Sequence, residues 1–228
     1  NPERQQRIGE CNHVEPVPVL SPHLPKNCQF VGLFSIILRM LEAPLTLLQS
    51  AQESTMIHNK FFISDTHFFH SNILKFTGDD GNRIRPFNSL QEMHEHMIEK
   101  WNSVVNNGDY VYHLGDVTFR YDGAFNNLMS RLKGDKRLIV GNHDKIWNPA
   151  LQINFEKVDL WKGFKEYNFT ASHMPLRLEG LRDGKFNVHG HIHQRMMADP
   201  HYINVSVEVR DYTPVHIDQI EAEIKKAT

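Results

Sequence analysis

A chain of 228 residues, 40% hydrophobic and 23% charged, has room for one domain with a full core or for two small ones. Its net charge of −2 provides no global field to gather nucleic acid, and its longest apolar stretch, residues 30–38, is too short and too soon interrupted by Arg39, Glu42 and Pro44 to read as a membrane span. Only Cys11 and Cys28 carry thiols, and both precede the polar motifs described below, which excludes a thiolate zinc site and a disulfide framework there and fits a reducing, cytoplasmic setting.

The chain divides near Met56. Before it, Pro16, Pro18, Pro22 and Pro25 disfavour helix and suggest an extended, solvated segment. Two readings of residues 1–55 stand: an extension upstream of a natural start at Met56, non-native or disordered, or a genuine N-terminal arm with a helix near 31–49. Residues 56–228 are expected to form the working domain. Within it, residues 60–64 (KFFIS) read as a strand. Ser89 and Glu92 form a capping box that opens a helix over about 90–102, with Met93, Met97, Ile98 and Trp101 on one face. Residues 110–114 are a strand ending at Gly115-Asp116. Residues 125–132 are a helix closed by Gly134, and 137–140 a strand ending at Gly141. Residues 167–171, 186–189 and 202–207 are further strands. A last amphipathic helix over about 217–226 uses Ile217, Ile220 and Ile224. Strands interleaved with helices, and dominant in the second half, imply an α/β protein with mixed sheets.

Five short motifs sit at loop-like places along this pattern: Asp65-Thr66-His67, Gly115-Asp116, Gly141-Asn142-His143-Asp144, Ser172-His173 and Gly190-His191-Ile192-His193. An extended strand would put Asp65 and His67 on one face, and likewise His191 and His193, so that one ion could take both members of a pair. Alone, each motif is a weak signal, since an isolated Gly-Asp is usually a turn and an isolated histidine an ordinary satisfied one. Asn142 offers a neutral carbonyl oxygen, His143 a ligand or an acid–base group, and Asp144 a carboxylate able to orient an imidazole.

Taken in order, the set resembles the calcineurin-like metallophosphoesterase superfamily, D-x-H, G-D, G-N-H-[DE], H and G-H-x-H, from about Ile57 to Pro214. Residues 64–73 (SDTHFFHSNI) and 112–116 (YHLGD) look like its small bacterial and phage members. The resemblance implies two packed mixed sheets flanked by helices, an αββα sandwich with its metal site at the strand ends. It further implies that Asp65, His67 and His193 hold one divalent ion, that Asn142, His173 and His191 hold a second, and that Asp116 bridges them. His143 would be the general acid, with Asp144 behind it. The expected chemistry is phosphodiester or phosphomonoester hydrolysis by a metal-bridging hydroxide, with ions about 3.5–4 Å apart. Mixed N/O ligation suits Mn, Fe, Zn, Ni or Co better than Ca, and Mn²⁺ is the ion expected to be most effective when added.

Beyond the reacting centre, His70, Arg120, Lys145 and Arg177 are the candidate substrate contacts. The expected partner is a small phosphoester such as a nucleotide, with neither membrane nor nucleic acid favoured. Residues 77–87 read as a flexible loop near the site. Two alternatives stand beside the leading one: a nuclease using the same chemistry, and a non-catalytic metal-binding scaffold. Val117 and Thr118 follow Gly-Asp where relatives carry an arginine or a second aspartate, which leaves the substrate open, as it does the oligomeric state.

Overall fold

The computed structural model describes residues 58–181 and 185–228. The readings made for residues 1–55 lie outside the described residues. In the first sheet β1 (Lys60–Ile63), β2 (Tyr110–His113), β3 (Asp135–Ile139) and β4 (Lys157–Asp159) run parallel, and β9 (Val215–His216) joins β1 antiparallel, giving the order β4-β3-β2-β1-β9. The second sheet has the order β5-β6-β7-β8. Here β5 (Trp161–Phe164) is antiparallel to β6 (Phe169–Ser172), while β7 (Phe186–His189) and β8 (Tyr202–Asn204) continue in parallel. Both sheets are mixed, as expected.

The period-2 alternation of β1 divides the core in two. Phe61 and Ile63 turn to one cluster with Val111 and Leu138, which the helices α1 (Leu90–Val104), α2 (Gly123–Ser130) and α3 (Pro149–Asn154) cover through Met97, Trp101, Phe125 and Leu151. Phe62 turns the other way and meets Tyr112, Ile139, Phe169, Phe186, Val188 and Ile203, the inner layer between the sheets. The C-terminal helix α4 (Ile217–Ala227) adds Ile217, Ile220 and Ile224 to that layer. Each such fully buried side chain contributes about 1.5–3 kcal/mol relative to exposure. The architecture is thus two packed mixed sheets with flanking helices.

Local chemistry explains the boundaries. Ser89 Oγ accepts from Glu92 N at 3.1 Å, the expected N-cap, while the Glu92 carboxylate reaches one residue further out, to Asn88 N at 2.8 Å. Helix α2 begins earlier than its apolar residues suggest because Asp122 caps it through Ala124 N. It ends at Ser130, and Gly134, at φ +83, turns the chain into β3. Among the strands and α-helices, β4, β5, α3 and the two-residue β9 escaped the pattern reading. Strand β4 is exposed along its length, β5 contains Gly163, and α3 is a six-residue helix started by Asn148 and Pro149. None carries enough apolar periodicity to reveal itself, because edge strands and single-turn helices are held by their neighbours.

Candidate metal centre

The motifs lie just past the C-terminal ends of β1, β2, β3, β6 and β7, the rim where parallel sheets place their functional loops. Backbone bonds hold the loops together: Asp65 N donates to Gly115 O at 3.0 Å, His67 N to Asp116 O at 3.0 Å, and Gly190 N to His173 O at 2.9 Å. Glycine is needed where these loops touch. A Cβ on Gly141 would lie 2.2 Å from Asp116 Oδ1, and one on Gly190 would lie 2.0 Å from Ser64 Oγ and 2.4 Å from Asp65 Oδ2.

The expected extended geometry of the D-x-H and H-x-H pairs is not what the structure shows. Asp65, His67, His191 and His193 all have left-handed φ, at 60, 47, 70 and 52°, and Asp116 joins them at 56°. The paired side chains converge because the chain curls tightly at each strand end, not because they share a strand face. Left-handed non-glycine residues cost about 1–3 kcal/mol each and concentrate where a site requires them.

Two groups of ligand atoms result. Asp65, His67 and His193 each present one atom within 4.8 Å of the others, and Asp116, His173 and His191 do the same. Asn142 Oδ1 lies 2.9 Å from His173 Nε2 and so completes the second group. Asp116 stands between them. Its Oδ1 accepts from His143 N at 2.9 Å, while its Oδ2 is 3.7 Å from His67 Nε2 and 3.4 Å from His173 Nε2.

The residues fit cations. Asp65 Oδ2 accepts from His191 N at 2.8 Å and Ser206 Oγ at 3.0 Å, but its Oδ1 is buried without a partner, as are both ring nitrogens of His67. Such orphaned acceptors, gathered around buried carboxylates, match what a divalent ion needs. Burial works to raise the Asp65 carboxyl, yet the nearby imidazoles of His67, His173 and His193 hold it well below its usual range. Burial and the proximity of other cationic groups keep His67 and His191 below the ordinary imidazole value. For His173 and His193 burial again lowers, but Asp116 and Glu208 respectively outweigh it and raise them.

His143 is exposed at the rim, its ring 5.8 Å from that of His67 and 5.0 Å from that of Phe119. Asp144 does not stand behind that imidazole. Its buried carboxylate accepts from Gly141 N at 2.8 Å and from Asp116 N and Val117 N at 2.9 Å. It thereby staples the loop after β3 to the loop after β2, a structural role in place of the expected imidazole support.

Of the candidate substrate contacts, His70 reaches the site. Its ring stacks on Phe119 at 3.9 Å and lies 5.5 Å from His67, and burial with the neighbouring charges lowers it to about 4. Arg120 is held by Asp122 at 2.6 Å, and Lys145 is exposed near the Tyr121 ring. Arg177 is 92% exposed and pairs with Glu179 instead of a residue of the site.

Sequence reasoning passed over several residues. Phe119 is an exposed aromatic face beside His143 and His70. Lys75, Gln194 and Arg195 border a cleft of about 560 Å³ that opens beside His191 and His193, and the segment read as a flexible loop supplies its other wall through Thr77, Asp79 and Ile84. The side chains of Arg85 and Glu208 are buried next to His193, and Ser206 reaches Asp65. No motif marks any of these; the signal for Arg85 and Glu208 is their burial, which a sequence does not display.

The family model described as calcineurin-like phosphoesterase matches residues 61–225. The chain is 34% identical over 175 residues to the uncharacterized protein MJ1445 of Methanocaldococcus jannaschii, a match covering 73% of this chain and 91% of that protein. It is 27% identical over 194 residues to the gene 66 protein of Mycobacterium phage D29, covering 69% of this chain and 92% of that one. Among solved structures it resembles the protein of unknown function AQ665 from Aquifex aeolicus, with a TM-score of 0.58, 26% identity, and coverage of 72% of this chain and 98% of that one. The matched span contains every motif residue that the fold gathers at the strand ends, and the chain belongs to the calcineurin-like phosphoesterase family.

Proposed function

We propose that this chain hydrolyses phosphodiesters or phosphomonoesters with two divalent ions, held by Asp65, His67 and His193 on one side and by Asn142, His173 and His191 on the other, with Asp116 shared. The observation that carries the reading is Asp116 Oδ2, which faces an imidazole of each group at 3.7 and 3.4 Å. When bound, the ions supply Lewis acidity to the phosphoryl group and acidify water. Mn²⁺ is the ion expected to be most effective when added, since imidazole, carboxylate and amide oxygen together suit a first-row divalent metal.

The protein's own groups do the rest. The backbone N–H of His143 is tied to Asp116 Oδ1, so the proton donor keeps a fixed distance from the shared carboxylate. From the rim its imidazole gives a proton to the departing oxygen, a contribution typically worth 10²–10⁴-fold. Phe119 beside it offers an apolar face to the leaving group, and His70, kept neutral near pH 7, stacks behind. On the other side, the cleft with Lys75 and Arg195 has space and positive charge for a second substituent on phosphorus, which favours a diester.

Hydrolysis of bis-p-nitrophenyl phosphate and p-nitrophenyl phosphate, with Mn²⁺ and with chelator, tests the reading. Chelator-sensitive turnover, faster on the diester, is expected. Two bound ions with no turnover of either compound would support the scaffold alternative instead.

A further inference from the structure

Arg85 is completely buried, and nothing about the chemistry of phosphoester cleavage requires it there. Its guanidinium makes two kinds of contact. Nη1 donates to Thr66 O at 2.8 Å and Nη2 to Asp65 O, so it grips the carbonyls of the left-handed D-x-H turn. Nε and Nη2 also donate to Glu208 Oε1, at 2.9 and 2.6 Å. The same Glu208 oxygen lies 2.8 Å from His193 Nδ1, while Oε2 is buried without a partner. One buried ion pair therefore touches the backbone that carries Asp65 and His67 and the ring of His193, all three residues of one ligand group.

Among the described residues, the second group has no equivalent. His173 Nδ1 is bonded to Leu114 O at 2.7 Å, a neutral backbone carbonyl, and His191 Nδ1 faces His173 Nε2 at 3.2 Å. Among the described residues, the hydrogen bonds of Asn142, His173 and His191 reach neither Arg85 nor Glu208.

We infer that Arg85 and Glu208 are positioning residues for the Asp65–His67–His193 site and make it the tighter of the two. Glu208 Oε1 accepts a hydrogen bond from His193 Nδ1–H, which fixes the tautomer and the ring orientation with Nε2 free to ligate. Arg85 holds the Glu208 carboxylate in place and grips the strained turn, so that Asp65 and His67 need not reorganise when an ion arrives. Burying such a pair is expensive in desolvation and adds little to stability, so its retention is better explained by what it holds in place. The inference rests on the two-ion reading above and assigns an asymmetry that the ligand set alone does not contain.

The full-length protein tests it by calorimetric titration of the metal-free chain with Mn²⁺, and by ¹⁵N shifts of the histidine rings in the metal-free state. Glu208→Gln keeps the size and an acceptor but removes the charge. It is expected to weaken one site about 10–100-fold and leave the other within about twofold, and to move the His193 ring from the Nδ1–H tautomer to a mixture. Arg85→Met with Glu208→Gln, which leaves no unpaired buried charge, is expected to show the same selective loss if the single variant folds poorly. Glu95→Gln, which breaks the exposed pair with Arg131, should change neither site. Two wild-type sites with both variants keeping equal affinities, or losing both sites alike, would overturn the inference while the function stands. A wild-type chain that binds no divalent ion would remove the proposed function, and this inference with it.

Discussion

Gly190→Ala is the smallest change that should disable the centre. A Cβ at this position would lie 2.0 Å from Ser64 Oγ, 2.4 Å from Asp65 Oδ2 and 2.5 Å from Ser64 Cβ, roughly 1 Å or more inside ordinary contact. Neither neighbour can yield freely. Ser64 Oγ donates to Leu114 O at 2.9 Å, and Asp65 Oδ2 accepts from His191 N and Ser206 Oγ. Overpacking of this kind costs about 1–3 kcal/mol. Displacing Asp65 so that its buried oxygen loses partners costs about 1–3 kcal/mol more. At about 2–4 °C per kcal/mol for a domain of this size, the melting temperature should fall by roughly 4–24 °C. Because the displaced carboxylate is a proposed ligand, the Asp65–His67–His193 site should lose at least about tenfold in affinity, or about 1.4 kcal/mol. Differential scanning calorimetry with and without Mn²⁺ reads both effects. Gly123→Ala is the control, since a Cβ there meets nothing within 4 Å and lies at the start of α2. A Gly190→Ala protein with wild-type melting temperature and wild-type stabilisation by metal would refute the reasoning.

Three further outcomes follow from the same geometry. Asp116→Asn keeps an acceptor for His143 N but removes the one negative charge the two groups share, so metal content should drop below two ions per chain and turnover should fall by about 10²-fold or more, on the scale of lost metal-site partners; two ions and full activity by elemental analysis and assay would rule out the bridge. His143→Gln should leave metal content unchanged and slow poor leaving groups by about 10²–10⁴-fold, with activated p-nitrophenyl esters less affected; equal rates for both classes would reject the proton-donor role. His94, whose Nε2 accepts from Phe69 N at 3.0 Å, is lowered by burial to about 4. Its folded value lies below the unfolded one, so stability is full above about pH 6.5 and is lost as pH falls toward 4, by up to about 3 kcal/mol. Urea denaturation in chelator at pH 7 and pH 4.5 should show a smaller loss for His94→Gln than for wild type; identical losses would assign the acid sensitivity to other groups.

That Asp65, His67, Asp116, Asn142, His173, His191 and His193 gather at one rim was legible because a metal centre calls for such residue types at strand ends, and strand ends can be found from apolar runs such as residues 60–64 and 110–114. How those residues meet was not legible. Asp65-x-His67 reads equally well as an extended pair and as a left-handed turn, and only the contacts of Gly115, Gly141 and Gly190 with neighbouring loops select the second. Asp144 shows the same limit. Its place in sequence suggests service to His143, whereas its carboxylate is consumed by three backbone N–H groups from two loops. Arg85 and Glu208 are separated by more than a hundred residues, and each alone is an ordinary charged residue. Strands β4 and β5 were missed because edge strands need little apolar alternation to pair.

The central claim is that two ions, joined through Asp116, make this chain a phosphoesterase. Stepwise Mn²⁺ titration of the metal-free protein, with bound metal and bis-p-nitrophenyl phosphate hydrolysis measured on the same samples, tests it most directly. The account predicts saturation at two ions per chain, with activity rising mainly with the second and abolished by chelator. Full activity in the metal-free protein, or saturation at a single ion with full turnover, would contradict it.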